Sequence, residues 1–571
     1  LFPDANGNYP NNPLAPSNFL QTRDLITNRE NVDRILLGGT ATWKIFHNDK
    51  NDLRLIARGG LDQYTLNTTA IFPRELQFEK DGNGTNGASI YGTTISKGTN
   101  VAAFLLHSFK PSDQFEFRTQ LGVTEEDLNQ NNVLNTGTQL NGTQTNLDQA
   151  GSIQVEQART LQKDKGIFAQ EEFSFRDLLF VTVGLRQDKS SRNGQANKFY
   201  SYPKGSIAFN LHNLPSWNNS IFSQLKLRAA YGESGNFAPF GAIYSPLVPA
   251  VFNGSTGSLI SLVRGNDQLT PERQKELETG IDIGVLKNRV SLEATYYRKN
   301  VEDLILNVVV PTSSGFTTAW KNVAAIQNKG IELALNATPV MSKEFRWNMT
   351  TSFWKNSAKV TRLDVPAFNT GAFGATLGTY RIEVGKSPTQ IVGIGGPDDK
   401  VDPASGVAVF GNGEADFNLS SYNTVSYKNF EFNVLMHWKK VGDNINLSTL
   451  LSDIFGTSPD YDKKTLDPTG QKTDGEYRYS VLGTTARPWV QDASYFRVRE
   501  IGLTYRLPKS LFRNIADVKV GISARNLINI FDYNSYDPEV SNFGTDAISS
   551  NVEVTPYPSS KSYHFTIAVI F

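Results

Sequence analysis

The chain has 571 residues, no cysteine, and 56 basic side chains balanced by 56 acidic ones. The missing cysteine excludes disulfides, thiolate metal sites and a cysteine nucleophile, and the charge balance leaves no electrostatic case for nucleic acid or an anionic surface. Forty-six glycines, 11% aromatics and a mean hydropathy of −0.35 fit β structure with polar loops, and no apolar run approaches the roughly 18 residues of a transmembrane helix.

The first residues, LFPDANGNYPNNPLAPSNF, carry neither a basic n-region nor an apolar h-region, so a cut chain is expected. Beyond them one pattern recurs. DLLFVTVGLR (177–186) alternates. LKLRAAY sets Leu225, Leu227, Ala229 and Tyr231 against Lys226 and Arg228. RVSLEATYY sets Val290, Leu292, Ala294 and Tyr296 against Ser291, Glu293 and Thr295. GIELALNA sets Ile331, Leu333 and Leu335 against Glu332 and Asn336. NFEFNVLMHWK sets Phe430, Phe432, Val434, Met436 and Trp438 against Glu431, Asn433, His437 and Lys439. In SYFRVREIGLTYR the apolar phase moves from Phe496 and Val498 to Ile501, Leu503 and Tyr505, which predicts a β-bulge at Arg499–Glu500. DVKVGISAR follows, and the chain closes on SYHFTIAVIF, with Tyr563, Phe565, Ile567, Val569 and Phe571 on one parity and Ser562, His564 and Thr566 on the other. Strict two-residue alternation is the mark of half-buried strands, and roughly 17 such segments are too many for one ordinary sandwich.

The connections between segments decide the class. Tight ones at 47–51, 109–113, 175–177, 286–289 and 426–429 alternate with long Gly-, Asn-, Thr- and Asp-rich ones at 68–98, 125–164, 233–273, 357–417, 442–493 and 529–561, with 189–202 the mildest. Short turns on one side and long loops on the other are the layout of an outer-membrane β-barrel. The expected fold is therefore all-β, an antiparallel transmembrane barrel with the greasy parity facing lipid and the charged parity (Lys226, Arg228, Glu293, Glu332, Glu431, Lys439) facing the lumen. Trp43, Tyr297, Trp347, Trp354, Trp438 and Tyr505 would form interfacial girdles; as hairpin or sandwich-core aromatics they have a second explanation.

Several stretches resemble the barrel of SusC/RagA-type TonB-dependent transporters: LKLRAAYGESGN (225–236), 269–306, NVAAIQNKGIELALNATPV (322–340), VDPASGVAVF (401–410), QDASYFRVREIGLTYRLPKSL (491–511) and 524–544. Residues 185–210 depart from the family's tighter loop motif there. The resemblance implies an outer-membrane importer of about 22 strands, of which residues 1–571 form the C-terminal part, with the plug, TonB box, N-terminal extension and first strands outside this chain. It implies as partners a SusD-like surface lipoprotein, the TonB-ExbB-ExbD motor, the barrel insertion machinery and outer-membrane lipid, with no cofactor. It also makes Tyr563, Phe565, Ile567, Val569 and Phe571 an assembly signal. A glycan, a peptide or a similar large solute would be the cargo.

Enzymatic readings fail on context. The G-x-G-x-x-G at Gly82, Gly84 and Gly87 has polar loop on both sides where a dinucleotide site needs a strand and a helix. Five histidines lack zinc-binding spacing, and His437 falls on a polar strand face as lumen lining. Asp398, Asp399 and Asp402 are a conceivable loop calcium site, or simply an acidic surface loop. In the long loops Phe240, Trp320, Tyr461, Tyr477 and Trp489 could stack on a sugar or pack against a lid, and ordinary loop packing explains them as well. Two classes stand: a TonB-dependent importer, or a soluble or surface-attached β-rich binding or adhesion protein.

Overall fold

The computed structural model describes the chain except residues 14, 83–84, 218–220 and 543–550; Gly84 of the glycine motif and the last two residues of the 524–544 stretch therefore lie outside the described residues. Among the described residues, seventeen strands have nine or more residues, from Thr27–His47 to Ser562–Ile570. No helix is long and apolar enough to cross a membrane. The chain divides into two compact units, one of Leu1–Phe173, Gly184–Pro203 and Phe237–Thr270, the other of Ser174–Val183, Lys204–Asn236 and Pro271–Phe571.

In the first unit Thr27–His47, Asn51–Phe72, Ala88–Ser112 and Phe115–Leu140 pair in chain order as an antiparallel meander. Trp43 faces Leu55, Leu55 faces Leu105 and Leu105 faces Leu121, so one apolar row crosses four strands. These strands correct the expected outside loops at 68–98 and 125–164. The connectors are only 73–87 and 141–149, and Ala88–Ser112 and Phe115–Leu140 run for 25 and 26 residues. Their distal halves are polar on both parities (Thr93, Thr94, Ser96, Asn129, Gln130, Asn131), so no alternation marks them, yet their backbones stay laddered because a paired amide needs no apolar face.

In the second unit a meander runs through Phe222–Asn236, Glu272–Val285, Val290–Val309, Thr318–Met341, Phe345–Leu363, Ala415–Tyr427, Phe430–Val441, Tyr495–Arg506, Asp517–Ile530 and Ser562–Ile570, each antiparallel to the next. Register keeps the apolar parity in line: Leu227, Ile281, Ala294, Leu333, Phe353, Leu419 and Trp438 succeed one another across seven strands. On the other parity Lys226 faces Asp282 and Asp282 faces Glu293. Arg499 is skipped in both ladders, Val498 pairing with Met436 and Glu500 with Leu435, which is the bulge the phase change predicts.

The apolar parity is outward and uncovered. Phe565 is 82% exposed and Ile567 74%, and Tyr563, Val569 and Phe571 are exposed with them. So are Ile522, Leu503, Phe432, Leu227 and Ile331. A soluble protein rarely carries so continuous an apolar surface, whereas a lipid-facing one requires it. Trp43, Trp347, Trp438 and Tyr505 lie on this face. Tyr297 and Trp354 do not: the Tyr297 hydroxyl donates to Asn356 Oδ1 at 2.8 Å, and Trp354 stacks on His437 with centroids 5.8 Å apart, so both belong to the polar face.

A charge on the lipid face at mid-bilayer costs about 2–4 kcal/mol for Lys or Arg. Leu333→Arg is therefore expected to reduce sharply the heat-modifiable, membrane-assembled fraction on SDS gels, and Glu332→Arg one position away to leave it near wild type. Equal tolerance at the two positions contradicts the assignment of faces.

Candidate functional site

On the polar face of the second unit, a recess of about 370 Å³ is lined by Lys204, Ser206, Ser234, Gln274, Glu276 and Glu278. Nearby Arg228 donates to Asp282 at 3.0 Å and to Thr295 Oγ1 at 2.7 Å. Hydrogen-bonding groups without an apolar cover are what a hydrated passage presents to a polar solute.

The three long loops of this unit, between Leu363 and Ala415, Val441 and Tyr495, and Ile530 and Ser562, form one packed body. Their apolar residues Tyr380, Ile391, Ile445, Leu447, Leu450, Ala486, Trp489 and Val552 make a buried core. Short strands from all three contribute: Thr379–Ile382 pairs with Gln390–Gly393, and Asn444–Asn446 pairs with Val490–Gln491 and, in parallel, with Val552–Glu553. Two helices complete it. Asn446 caps Leu447–Ile454 by accepting from the Thr449 amide at 3.0 Å, and Thr473 with Glu476 forms a capping box on Asp474–Ser480.

Ion pairs lock the loops together. Arg478, 3% exposed at its side chain, donates to both oxygens of Asp453 (2.7 and 2.8 Å) and of Asp460 (2.9 and 2.8 Å), and Asn534 from the last loop donates to Asp460 at 2.8 Å. Burial pushes the Asp460 carboxyl up, but the Arg478 hydrogen bonds and charge outweigh it and hold the group below the usual carboxylate range. Asp399 is held down in the same way, against its burial, by Arg487, the Gly396 amide and Thr485.

The last loop is also fastened to the polar face. Arg497 and Asp537 form a buried pair, and Ser559 donates to Asp537 at 2.5 Å. Arg499, the bulge residue, donates to Glu539 Oε2 at 2.6 Å, Tyr495 donates to Glu539 Oε1 at 2.8 Å, and Arg499 lies 2.9 Å from His437 Nδ1. Burial raises the Glu539 pKa, and Arg499 overcomes it to bring the value down to about 2. His437 thus lines the polar face as its parity predicts, and the bulge aims Arg499 at the loop.

The aromatic residues singled out in the loops have different fates. Phe240 is exposed. Trp320 stands opposite Asn307 in the strand Thr318–Met341. Tyr461 and Tyr477 are half-buried in one loop, Tyr461 packed on Gly475 at the start of the second helix. Trp489 has no exposed surface; it holds the loop core together and offers no face to a solute. The acidic trio is not assembled around a cation either: Asp399 is committed to Arg487, Asp402 to its own turn at Ala404 and Ser405, and Asp398 joins neither. No group of three or more metal-ligating side chains is placed to hold an ion among the described residues. The loop body was legible in part: Asn446 followed by Leu447, Leu450, Leu451 and Ile454, then Gly456, is a capped amphipathic helix, and Thr473-x-x-Glu476 is a capping box.

A meander of long antiparallel strands with an uncovered apolar face, a polar inner face and fastened long loops defines an outer-membrane β-barrel. A family model described as "TonB dependent receptor-like, beta-barrel" matches residues 1–527, and the chain belongs to that family, a receptor family of the outer membrane and not an enzyme family. TonB-dependent receptor P26 of Formosa agariphila is 28% identical over 67% of this chain and 43% of its own length; P3 of the same organism is 24% identical over 70% and 44%. TonB-dependent receptor SusC of Bacteroides thetaiotaomicron aligns with the whole chain at 22% identity, over 59% of its own length. A solved structure of the RagAB peptide transporter has the same fold, with a TM-score of 0.77 at 19% identity over 96% of this chain and 62% of that one. The chain spans less than half the length of the two Formosa relatives.

Breaking a buried ion pair by removing one partner typically costs about 3–5 kcal/mol, because the other charge stays buried alone. Arg478→Ala is expected to make the segment 442–494 sensitive to limited proteolysis while the strands remain heat-modifiable. A loop as resistant as wild type would remove the ion pair as its fastening.

The depressed carboxylates give a pH window. A group whose pKa is lowered by folding contributes stability above its unfolded value, roughly pH 4, and loses it as pH falls through the folded value, about 2 for Glu539. The loop body should stay protease-resistant at about pH 4 and open toward pH 2. Opening already between about pH 5 and 6 would contradict the assigned pairs.

Proposed function

We propose that this chain forms barrel wall and extracellular loops of an active nutrient importer of the SusC type. It takes up a glycan, peptide or similar large solute, driven by the TonB-ExbB-ExbD motor and covered by a SusD-like surface lipoprotein. The observation that carries the reading is the loop body: three long loops share one core and are fastened by Arg478, Arg487, Arg497 and Arg499, a rigid platform at the mouth of a polar-lined barrel. Such a platform suits reversible docking of a lid, because it pays no ordering entropy each time. The polar recess at Glu276 and Glu278 suits a hydroxyl- or amide-rich solute that exchanges water hydrogen bonds for protein ones. The fold shared with the RagAB peptide transporter supports the peptide alternative.

Deleting the gene in its host is expected to abolish uptake of one class of oligomer at low concentration, and a protonophore to have the same effect on the intact strain. Affinity purification of the tagged protein from outer membranes should recover a surface lipoprotein in about equal amount. Unchanged uptake of every glycan and peptide class tested, with no lipoprotein recovered, overturns the proposal.

A further inference from the structure

Glycine inside a strand costs stability, and Gly280 has no conformational reason to be one, since its φ lies outside the left-handed region. What the position lacks is room. It stands level with Arg228 on one neighbouring strand and with Thr295 on the other. The Arg228 side chain crosses over it, donating from Nη2 to Thr295 Oγ1 at 2.7 Å and from Nε to Asp282 Oδ1 at 3.0 Å. A β-carbon on Gly280 would stand 2.6 Å from Arg228 Cζ and 2.9 Å from Nε, well inside van der Waals contact. The guanidinium lies flat on the wall because the middle residue of its row has no side chain.

The arrangement recurs. In the first unit a β-carbon on Gly166 would stand 2.6 Å from Arg186 Nη2 and 2.8 Å from Thr124 Oγ1, while Arg186 donates to that Thr124 oxygen at 3.2 Å and to Asp188 at 2.8 Å. In the second unit Tyr297, Gly330 and Asn356 share a row. There the tyrosine hydroxyl passes 2.5 Å from where a Gly330 β-carbon would sit and donates to Asn356 at 2.8 Å. Each time a long polar side chain is laid across a glycine to a short acceptor beyond it. Both arginines also bond an aspartate.

What the latch at Gly280 keeps clear is the recess on this face. On its other flank Arg228 is level with Ala208 and diagonal to Ser206, both small. These two line a hollow of about 220 Å³ that shares Thr182, Ser206, Ala230 and Glu278 with the larger recess. A side chain on Gly280 would meet the far end of a flexible arginine and no backbone, so the wall would stand and Arg228 would move. Off the wall, its guanidinium enters the hollow, diagonal to Glu278 and separated from Asp282. We propose that Gly280 is a specificity-determining position: by holding Arg228 flat, it leaves Glu276 and Glu278 to accept hydrogen bonds from the hydroxyl and N–H donors of a solute. That role assumes that the polar face lines an import passage, as proposed above, whereas the latch itself does not.

The test uses the whole native protein in outer membranes, with Ser206→Cys as a reporter; these 571 residues hold no other thiol, and the unsubstituted protein gives the background. Rates of modification by a cationic and by an anionic methanethiosulfonate are compared. Diagonal neighbours lie about 7 Å apart, where a unit charge in water changes each rate about threefold and the cationic-to-anionic ratio close to tenfold. Adding Gly280→Ala should lower that ratio by this much, and adding Arg228→Ala to it should restore the ratio. Lys204, Lys226, Lys299, Glu293 and Glu332 are the same in every variant and cancel. Heat-modifiable mobility on SDS gels checks assembly. If Gly280→Ala does not assemble, Thr295→Val removes the far anchor of Arg228 without adding an atom beneath it, and should move the ratio the same way by less. A ratio unchanged by both substitutions, equal changes with the two reagents, a shift that survives Arg228→Ala, or no reaction of the reporter itself would each overturn the assignment. Uptake enters none of these readings, so failure of the latch and failure of the importer reading are told apart.

Discussion

A backbone amide in hydrocarbon has no partner except another strand, and this constraint governs the rest of the molecule. It forces each strand to pair along its whole membrane length, and pairing in register carries side-chain parity from one strand to the next. Leu227, Ile281, Ala294, Leu333, Phe353, Leu419 and Trp438 form a row because the ladder holds them level, and Lys226 meets Asp282 for the same reason. Division into a lipid face and a hydrated face is thus a property of the hydrogen-bond network as much as of the side chains.

Above the bilayer the constraint is lifted and another takes over. Loops of this length in water have only short ladders to order them, and burial and charge supply the rest. The core around Trp489 is small, so the ion pairs set the loops' geometry more than they add net stability; a buried Arg478 between Asp453 and Asp460 fits only one arrangement of three segments. Asn534 and Glu539 extend that fastening from loop to loop and from loop to sheet. A platform built this way is stiff at neutral pH without being deeply hydrophobic, which suits a surface that stands in water when its partner is absent.

Much of the wall was legible because alternation is a local signal: each of GIELALNA, NFEFNVLMHWK and SYHFTIAVIF announces a strand by itself, and the phase change around Arg499 announces the bulge. Two kinds of structure were not legible. Strand halves such as Glu125–Leu140 have water on both sides, so nothing selects residue type by parity and their polar sequence reads as loop. Trp489 and Asp399 look like loop residues available to a solute, but their commitments are to residues distant in the chain, Arg487 and the shared core among them, and local sequence carries no trace of those contacts. Tyr297 and Trp354 were placed in a girdle by residue type although their parity already set them on the polar face.

The bulge at Arg499 also constrains how such a gene can change. Within a laddered strand, losing one residue turns every later side chain over, exchanging Ile501, Leu503 and Tyr505 for Gly502 and Thr504 on the lipid side, whereas losing two keeps the faces. Insertions and deletions inside the wall should therefore survive only in even numbers, while the connectors accept any length. Arg499 is one residue more than either ladder pairs, and the apolar phase is shifted from Ile501 to Tyr505. Homologous chains that lack the extra residue must carry the opposite phase on one side of it, so single-residue gaps in alignments of these strands mark re-aimed segments and are not alignment noise.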